Sequence, residues 1–138
     1  MSLHTQFATN ETKEIEGVMV QYGANKDGTI PTFKLSRMGR SNKKYTKALD
    51  AATKPFRRQL DLGTMDAATS ERIFMEVFVI TVLTCWYDVQ VKDLTVNYNK
   101  ENAMNLMKEL PELYDDLQEK AKSAALFRDE AVEEEAKN

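Results

Sequence analysis

The sequence predicts a mostly α-helical protein with a small N-terminal β-hairpin and a compact bundle of four to five helices. Apolar residues alternate with polar ones over residues 15–37, then recur at helical spacing through four later segments. The chain has 138 residues, of which 42% are hydrophobic and 30% charged, which fits one globular domain. We place this domain at residues 14–128. It would follow a polar N-terminal segment, 1–13, that we expect to be flexible, and precede an acidic tail, 129–138.

The hairpin is predicted from two alternating strands and the turn between them. Val18, Val20 and Tyr22 lie at a period of two, and Phe33 and Leu35 do the same on the return strand. The connecting letters "GANKDG" contain the Gly, Asn and Asp that turns favour. Because two strands are only marginally stable by themselves, the hairpin must pack against other elements.

The first long helix is predicted over residues 42–60, with Ser41 or Asn42 as its N-cap. Pro55 interrupts it, so we expect a kink or a break there. One side is apolar, and the opposite side is a basic stripe that either contacts an acidic partner or is only a solvated face. The apolar side consists of Tyr45, Leu49, Ala52, Phe56 and Leu60. The candidate basic contact face consists of Lys43, Lys47, Lys54 and Arg58.

A second long helix is predicted over residues 66–87 and contains the apolar run "IFMEVFVITVLTCWY". The run includes Glu76 and is shorter than the roughly 20 apolar residues of a membrane-spanning helix, so we predict no membrane span. Its β-branched residues are also compatible with a β-strand over part of the run, although the length of the run favours a helix. A helix that is apolar on nearly every side is either central in its fold or covered by a partner.

Two further helices are predicted over residues 100–110 and 111–127, with Asn99 as the N-cap of the first. Pro111 would end one helix and occupy the first turn of the next. We predict that Pro111 is a hinge that lets the C-terminal helices close over an apolar helix of another molecule. The alternative is that Pro111 only turns one core helix into the next.

The sequence lacks the reactive groups that most enzymes need. It has one histidine, His4, in the polar N-terminal segment, and one cysteine, Cys85, inside the apolar run. The five glycines are scattered and form no phosphate-binding loop. We therefore predict that the protein is not an enzyme and uses no metal, cofactor or small-molecule substrate.

Binding to other polypeptides fits the composition better. Seven methionines and extensive apolar helical surface are typical of adaptable helix recognition, although an ordinary core would use the same residues. Residues 1–60 hold 11 Lys and Arg against 5 Asp and Glu, whereas residues 61–138 hold 8 against 17, which favours self-association. The candidate client or self-association surface consists of Ile73, Phe74, Val77, Phe78, Ile80, Trp86, Met104, Met107, Leu110 and Leu113.

The order of segments resembles a known family. The series is "EGVMVQYG", "FKLSRMG", "KKYTKALDAATKPFRRQLDLGTMD", "FVITVLTCWYDV" and "YNKENAMNLMKELPELYDDLQEKAKSAALFR". Over roughly residues 14–128, it is similar to the tail assembly chaperones of long-tailed bacteriophages, and specifically to their short, non-frameshifted form.

The resemblance implies a largely helical protein that binds the tape measure protein and recruits tail tube subunits during tail morphogenesis. It also implies action in the cytoplasm of the infected bacterium and absence from the mature virion. The family has no catalytic motif to transfer to this chain. Two other functions stay open, a structural virion component for head–tail joining or tail completion and a small nucleic-acid-binding regulator. The acidic balance of the chain makes nucleic acid an unlikely partner.

Overall fold

The computed structural model describes residues 2–128. About 57% of the residues are helical, which confirms a mostly α-helical protein. The elements in chain order are α1 (Leu3–Phe7), α2 (Glu11–Glu16), β1 (Val18–Gln21), β2 (Thr32–Leu35), α3 (Lys43–Thr53), a 3-10 turn (Lys54–Phe56), α4 (Arg57–Leu62), α5 (Ala67–Thr81), β3 (Leu83–Tyr87), β4 (Gln90–Val91), β5 (Leu94–Thr95), α6 (Lys100–Glu109), α7 (Pro111–Lys122) and a second 3-10 turn (Ala124–Phe127).

The sheet corrects the predicted helix over residues 66–87. Helix α5 ends at Thr81, and the rest of the apolar run forms strand β3, which pairs antiparallel with β2. The helical prediction is therefore wrong for residues 83–87. Thr84, Trp86 and Tyr87 are residue types that favour strands, and pairing with β2 supplies hydrogen-bond partners for backbone groups of β3.

Strands β1, β2 and β3 form one antiparallel sheet in that order. The two strands of the predicted hairpin pair with each other, but β2 is the centre of a larger sheet. Val20, Phe33 and Trp86 lie side by side across it and are buried, whereas Met19 and half-buried Cys85 lie on the open face. Several helices pack on the inner face of this sheet, and a self-contained helical bundle is not confirmed.

The core lies between the sheet and helices α5, α6 and α7. Phe78 and Tyr114 meet edge to face with ring centroids 5.2 Å apart, and Phe33 and Trp86 do so at 6.0 Å. The indole N–H of Trp86 donates to the carbonyl of Val96 at 2.8 Å. The largest fully buried side chains are Phe78, Phe127, Leu35, Leu83, Met107, Leu117, Val79 and Val82.

The N-terminal segment contains short helices where the sequence indicated none. The Ser2 side chain caps α1, and the buried Glu14 of α2 accepts a hydrogen bond from the hydroxyl of Thr9. The backbone of α2 is fixed to the domain, because the Arg37 N–H donates to the Glu14 carbonyl at 2.9 Å. The predicted acidic tail, 129–138, lies outside the described residues. Within residues 2–128, no helix is both long enough and apolar enough to cross a lipid bilayer.

Candidate protein-binding surface

A groove runs between α3 and α5, and we name it the α3–α5 groove. Its volume is about 450 Å³. Small side chains on α3 and larger ones on α5 form its two walls, with charged residues at one edge. The lining residues are Ala48, Ala51, Ala52, Phe56, Arg72, Ile73, Glu76, Val77 and Ile80.

The sequence of α3 explains why this groove is open. The buried Asn42 side chain accepts from the Tyr45 N–H at 3.2 Å, which starts the helix. Three alanines at helical spacing then face α5, and their small side chains do not fill the space between the helices. Pro55 lies in the 3-10 turn that follows α3 and turns the chain into α4. No residue of α3 is fully buried, so its apolar face remains partly accessible.

Side chains of α5 divide between the core and this groove. Ile80 is 50% exposed at the groove. Ile73 and Val77 are largely buried and line the groove floor. Phe74 is 37% exposed but is not among the lining residues. The periodic apolar face of α5 therefore contributes both to the core and to a surface that another molecule can reach.

The remaining residues of the predicted contact surface do not join this groove. Phe78, Trp86 and Met107 are buried in the core and line neither this groove nor the one beside it. Partly exposed Met104 lies beside Lys100 and Glu76, next to the groove edge. Leu110 and Leu113 line a separate cavity of about 150 Å³ together with Tyr22 and Phe33.

The charged edge of the groove is an ion pair between two helices. Lys100 Nζ lies 2.6 Å from Glu76 Oε1. This hydrogen bond is the main reason why the pKa of Glu76 is lowered from its ordinary value. Both side chains are more than a third exposed, and a polar, solvent-accessible edge is typical of the rim of a protein-binding site.

The predicted basic face is exposed but does not lie on one helix. Lys43 and Lys47 belong to α3, Lys54 to the 3-10 turn and Arg58 to α4. Within residues 2–128, none of the four forms an ion pair. Their charges are thus available at the surface around the start and end of α3.

A second groove lies beside the first, between α2 and the start of α3, and we name it the α2–α3 groove. Its volume is about 410 Å³, and Ile80 lines both grooves. Hydrophobic periodicity does not indicate this groove, because Ile15 lies in a segment without long periodicity. The lining residues are Glu11, Ile15, Ser36, Ser41, Asn42, Lys43, Lys44, Ile80, Thr81 and Thr84.

Pro111 begins α7, and this helix is fastened to the domain at several points. The Met38 N–H donates to the Ala121 carbonyl at 2.9 Å. Tyr114 is buried against Phe78, and its burial is the main reason why its pKa is raised to about 12. Rotation of α7 about Pro111 would break these contacts, so the hinge stays a prediction and we place the contact surface at the grooves.

The only histidine and the only cysteine of the sequence lie in separate elements of the fold, α1 and β3. His4 lies exposed in α1, whereas Cys85 lies half-buried on the open face of the sheet. Within residues 2–128, no group of His, Cys, Asp and Glu side chains is placed to hold a metal ion.

Fold and surface together define a small, mostly helical domain with a three-stranded sheet and two adjoining surface grooves. A family model described as "YdaY prophage protein" matches residues 40–138. Since this match covers more than half of the chain, the protein belongs to the YdaY prophage protein family and is phage-derived. No curated protein and no solved structure gave a match.

Proposed function

We propose that this phage-derived protein is a tail assembly chaperone that binds an apolar helical segment of the tape measure protein. Membership of a prophage family agrees with this proposal, and so does the resemblance of the ordered segments to tail assembly chaperones. In this role the protein would also recruit tail tube subunits. It would act in the cytoplasm of the infected host and be left out of the finished virion.

The α3–α5 groove is the observation that carries the proposal. A helix that docks in an apolar groove places side chains at spacings of three, four and seven residues against the groove floor. Ile73, Val77 and Ile80 share one face of α5 and form the apolar floor that the side chains of such a helix would contact. The alanines on the opposite wall let a helix backbone approach closely, and the solvent-exposed pair Lys100–Glu76 borders the site.

Charge would assist the encounter with the client. Lys43 and Lys47 are exposed on α3, the helix that forms one wall of the groove. Exposed charges of one sign accelerate association with an acidic partner and lose this effect as salt increases. The same attraction would favour self-association, since the N-terminal part of one copy is basic and the C-terminal part of another copy is acidic.

The test is co-expression with the tape measure protein encoded nearby in the same prophage, comparing the wild type with Ile80→Asp. Half of the Ile80 side chain is available for burial by a client, which is worth about 1 kcal/mol. Burial of an unpaired carboxylate adds several kcal/mol, so Ile80→Asp should weaken binding by far more than tenfold. The wild type should keep the tape measure protein soluble and co-purify with it, whereas Ile80→Asp should do neither.

Leu94→Asp is the matched control. Leu94 is 72% exposed on β5 and lines neither groove, so the same charge is introduced away from the site. Both variants should retain the melting temperature of the wild type, because both positions are exposed. Co-purification by Ile80→Asp at the wild-type level, or failure of the wild type to bind, would contradict the proposal.

A further inference from the structure

We propose that copies of this chain associate head to tail, with the α6–α7 corner of one copy seated in the α2–α3 groove of the next. The α6–α7 corner is defined here as residues 108–113, where α6 ends and Pro111 begins α7. The inference assigns surfaces to the self-association that the proposed function includes, and it does not depend on binding of a client.

Apolar side chains are exposed on both surfaces. Ile15 of α2 is 60% exposed and Ile80 of α5 is 50% exposed, and both line the α2–α3 groove. The corner presents a side chain of similar size, because Leu110 at the C-cap of α6 is 48% exposed. Contact between Leu110 and the two isoleucines would remove apolar surface from water on both copies, which favours association.

Opposite charges surround these apolar side chains. Lys43 and Lys44 are exposed at the groove. Glu109 and Glu112 are exposed on the two sides of Leu110 in the sequence. Within residues 2–128, none of the four charged side chains forms an ion pair. Complementary charges of this kind set the orientation of two partners and accelerate their encounter.

The remaining charge on each surface also has a counterpart on the other. Among the described residues, Glu11 is the one acidic side chain that lines the groove. Lys108 is the basic residue of the corner, and both side chains are exposed. Since Glu11 belongs to α2 and the lysines to α3, the groove is acidic at one end and basic at the other. A corner seated with its glutamates at the α3 end would turn Lys108 toward Glu11.

The two surfaces lie at opposite ends of the central strand β2, so the contact must join different copies. Leu110 lines a cavity together with Pro31, which directly precedes β2. Ser36 directly follows β2 and lines the α2–α3 groove. Five steps along an extended strand span about 17 Å, so the corner does not reach the groove of its own chain. A contact between two different surfaces is heterologous, and it produces a ring or an open chain of copies.

The small size of this contact determines how it is measured. The corner has six residues, whereas a standard stable interface uses about 20–30 residues on each side. We therefore expect weak association that increases with concentration and decreases as salt screens the charges. Sedimentation velocity of the full chain over a concentration series, at low and at high salt, measures both effects. A wild type that stays monomeric at every concentration in low salt would overturn the proposal and leave the groove to another kind of partner.

An exchange of charges between copies tests the pairing of the two surfaces. Lys43→Glu with Lys44→Glu makes the groove acidic, and Glu109→Lys with Glu112→Lys makes the corner basic. Each double variant alone should associate at least tenfold more weakly than the wild type, because like charges then face each other. An equal mixture of the two should recover association, because each groove then meets a corner of opposite charge. A mixture as weak as the separate variants would refute the pairing.

Matched double variants separate this pairing from an effect of net charge. Lys92→Glu with Lys122→Glu, and Glu101→Lys with Glu119→Lys, change the charge equally at exposed positions outside both surfaces. Both should associate like the wild type. If they lose association as much as the variants of the groove and the corner, net charge explains the effect and the proposal fails.

Ile15→Asp tests the apolar part of the contact without altering the client site, because Ile15 lines the α2–α3 groove and not the α3–α5 groove. It should weaken self-association at least tenfold and retain the melting temperature of the wild type, since the position is exposed. Leu94→Asp, at a position 72% exposed outside both surfaces, should associate like the wild type. Equal association of these two variants would refute the seating of Leu110 in the groove. None of these measurements includes a client, so their failure would leave the proposed binding of the tape measure protein standing.

Discussion

Gly17 joins α2 to β1 in a backbone conformation that only glycine adopts readily, so Gly17→Ala should be strongly destabilising. Its φ is 101° and its ψ is 166°, a region that costs other residues about 1–3 kcal/mol. A Cβ at this position would lie 2.9 Å from the carbonyl oxygen of Leu35, in the central strand of the sheet. Because the obstructing atom belongs to the backbone, relief requires displacement of a strand and adds about 1–3 kcal/mol.

Reduced freedom of the unfolded chain offsets about 0.4–1 kcal/mol of this cost, so the net loss for Gly17→Ala should be about 1–5 kcal/mol. For a domain of this size, the melting temperature should fall by about 3–15 °C. Two other glycines serve as matched controls that separate the cost of the backbone conformation from the cost of the Cβ contact. The stabilities of all three variants are measured by urea denaturation and calorimetry. Gly28 has φ 89° and open space around it, so Gly28→Ala should lose only the backbone part. Gly23→Ala should be neutral or slightly stabilising, since Gly23 has neither constraint. A melting temperature of Gly17→Ala within about 2 °C of that of Gly23→Ala would refute the reasoning.

Three further predictions concern the core, the corrected strand and pH. Leu117 is fully buried, so Leu117→Ala should lower the free energy of unfolding by about 2–5 kcal/mol in urea denaturation. In strand β3, Leu83→Ala should cost about as much, whereas Tyr87→Thr should cost less than about 1 kcal/mol because Tyr87 is 50% exposed. If residues 83–87 were helical, Leu83 and Tyr87 would lie on one face. Similar losses of stability at the two positions would therefore favour the predicted helix over the strand. Lys120 lies 2.7 Å from Asp116, and its hydrogen bond is the main reason why the pKa of Asp116 is lowered. The contribution of this pair is therefore present above the ordinary Asp pKa of about 4 and is lost as pH falls through the lowered pKa. It should stay below about 1 kcal/mol because both side chains are more than a third exposed, and Asp116→Asn should remove this acid dependence of stability.

Local chemistry is what the sequence predicted well. Asn99 caps α6 through its side-chain oxygen, which accepts from the Asn102 N–H at 2.7 Å. The break between α6 and α7 falls at Pro111, and Pro55 lies in the 3-10 turn between α3 and α4. Each of these features depends on a few neighbouring residues, so it can be predicted without knowledge of the tertiary contacts.

Long-range pairing is what the sequence could not show. Residues 73–87 are apolar on nearly every side, so their periodicity does not separate a long helix from a helix followed by a strand. The decision depends on β2, which lies some fifty residues earlier in the chain and places Phe33 opposite Trp86. The α3–α5 groove could not be predicted from the sequence for a related reason. Of the three alanines that line it, the helical periodicity places only Ala52 on the apolar side of α3, and only the packing on α5 shows that Ala48, Ala51 and Ala52 leave space.

The mistaken end of α5 and the position of the candidate site have one physical cause. Helical hydrogen bonding continues to Val82, whose N–H donates to the Phe78 carbonyl, and the Val82 carbonyl then accepts from Ser36 next to the sheet. The chain thus changes from helix to strand at Val82, two residues after Ile80. The last turn of α5 lies beside β3, so Ile80 faces outward between two grooves and not into a helical partner. Had the helix continued to Tyr87, as periodicity suggested, the sheet would lack the strand that holds Trp86 in the core. Ile80, half-exposed one residue before the end of α5, supplies the apolar centre on which the proposed function depends.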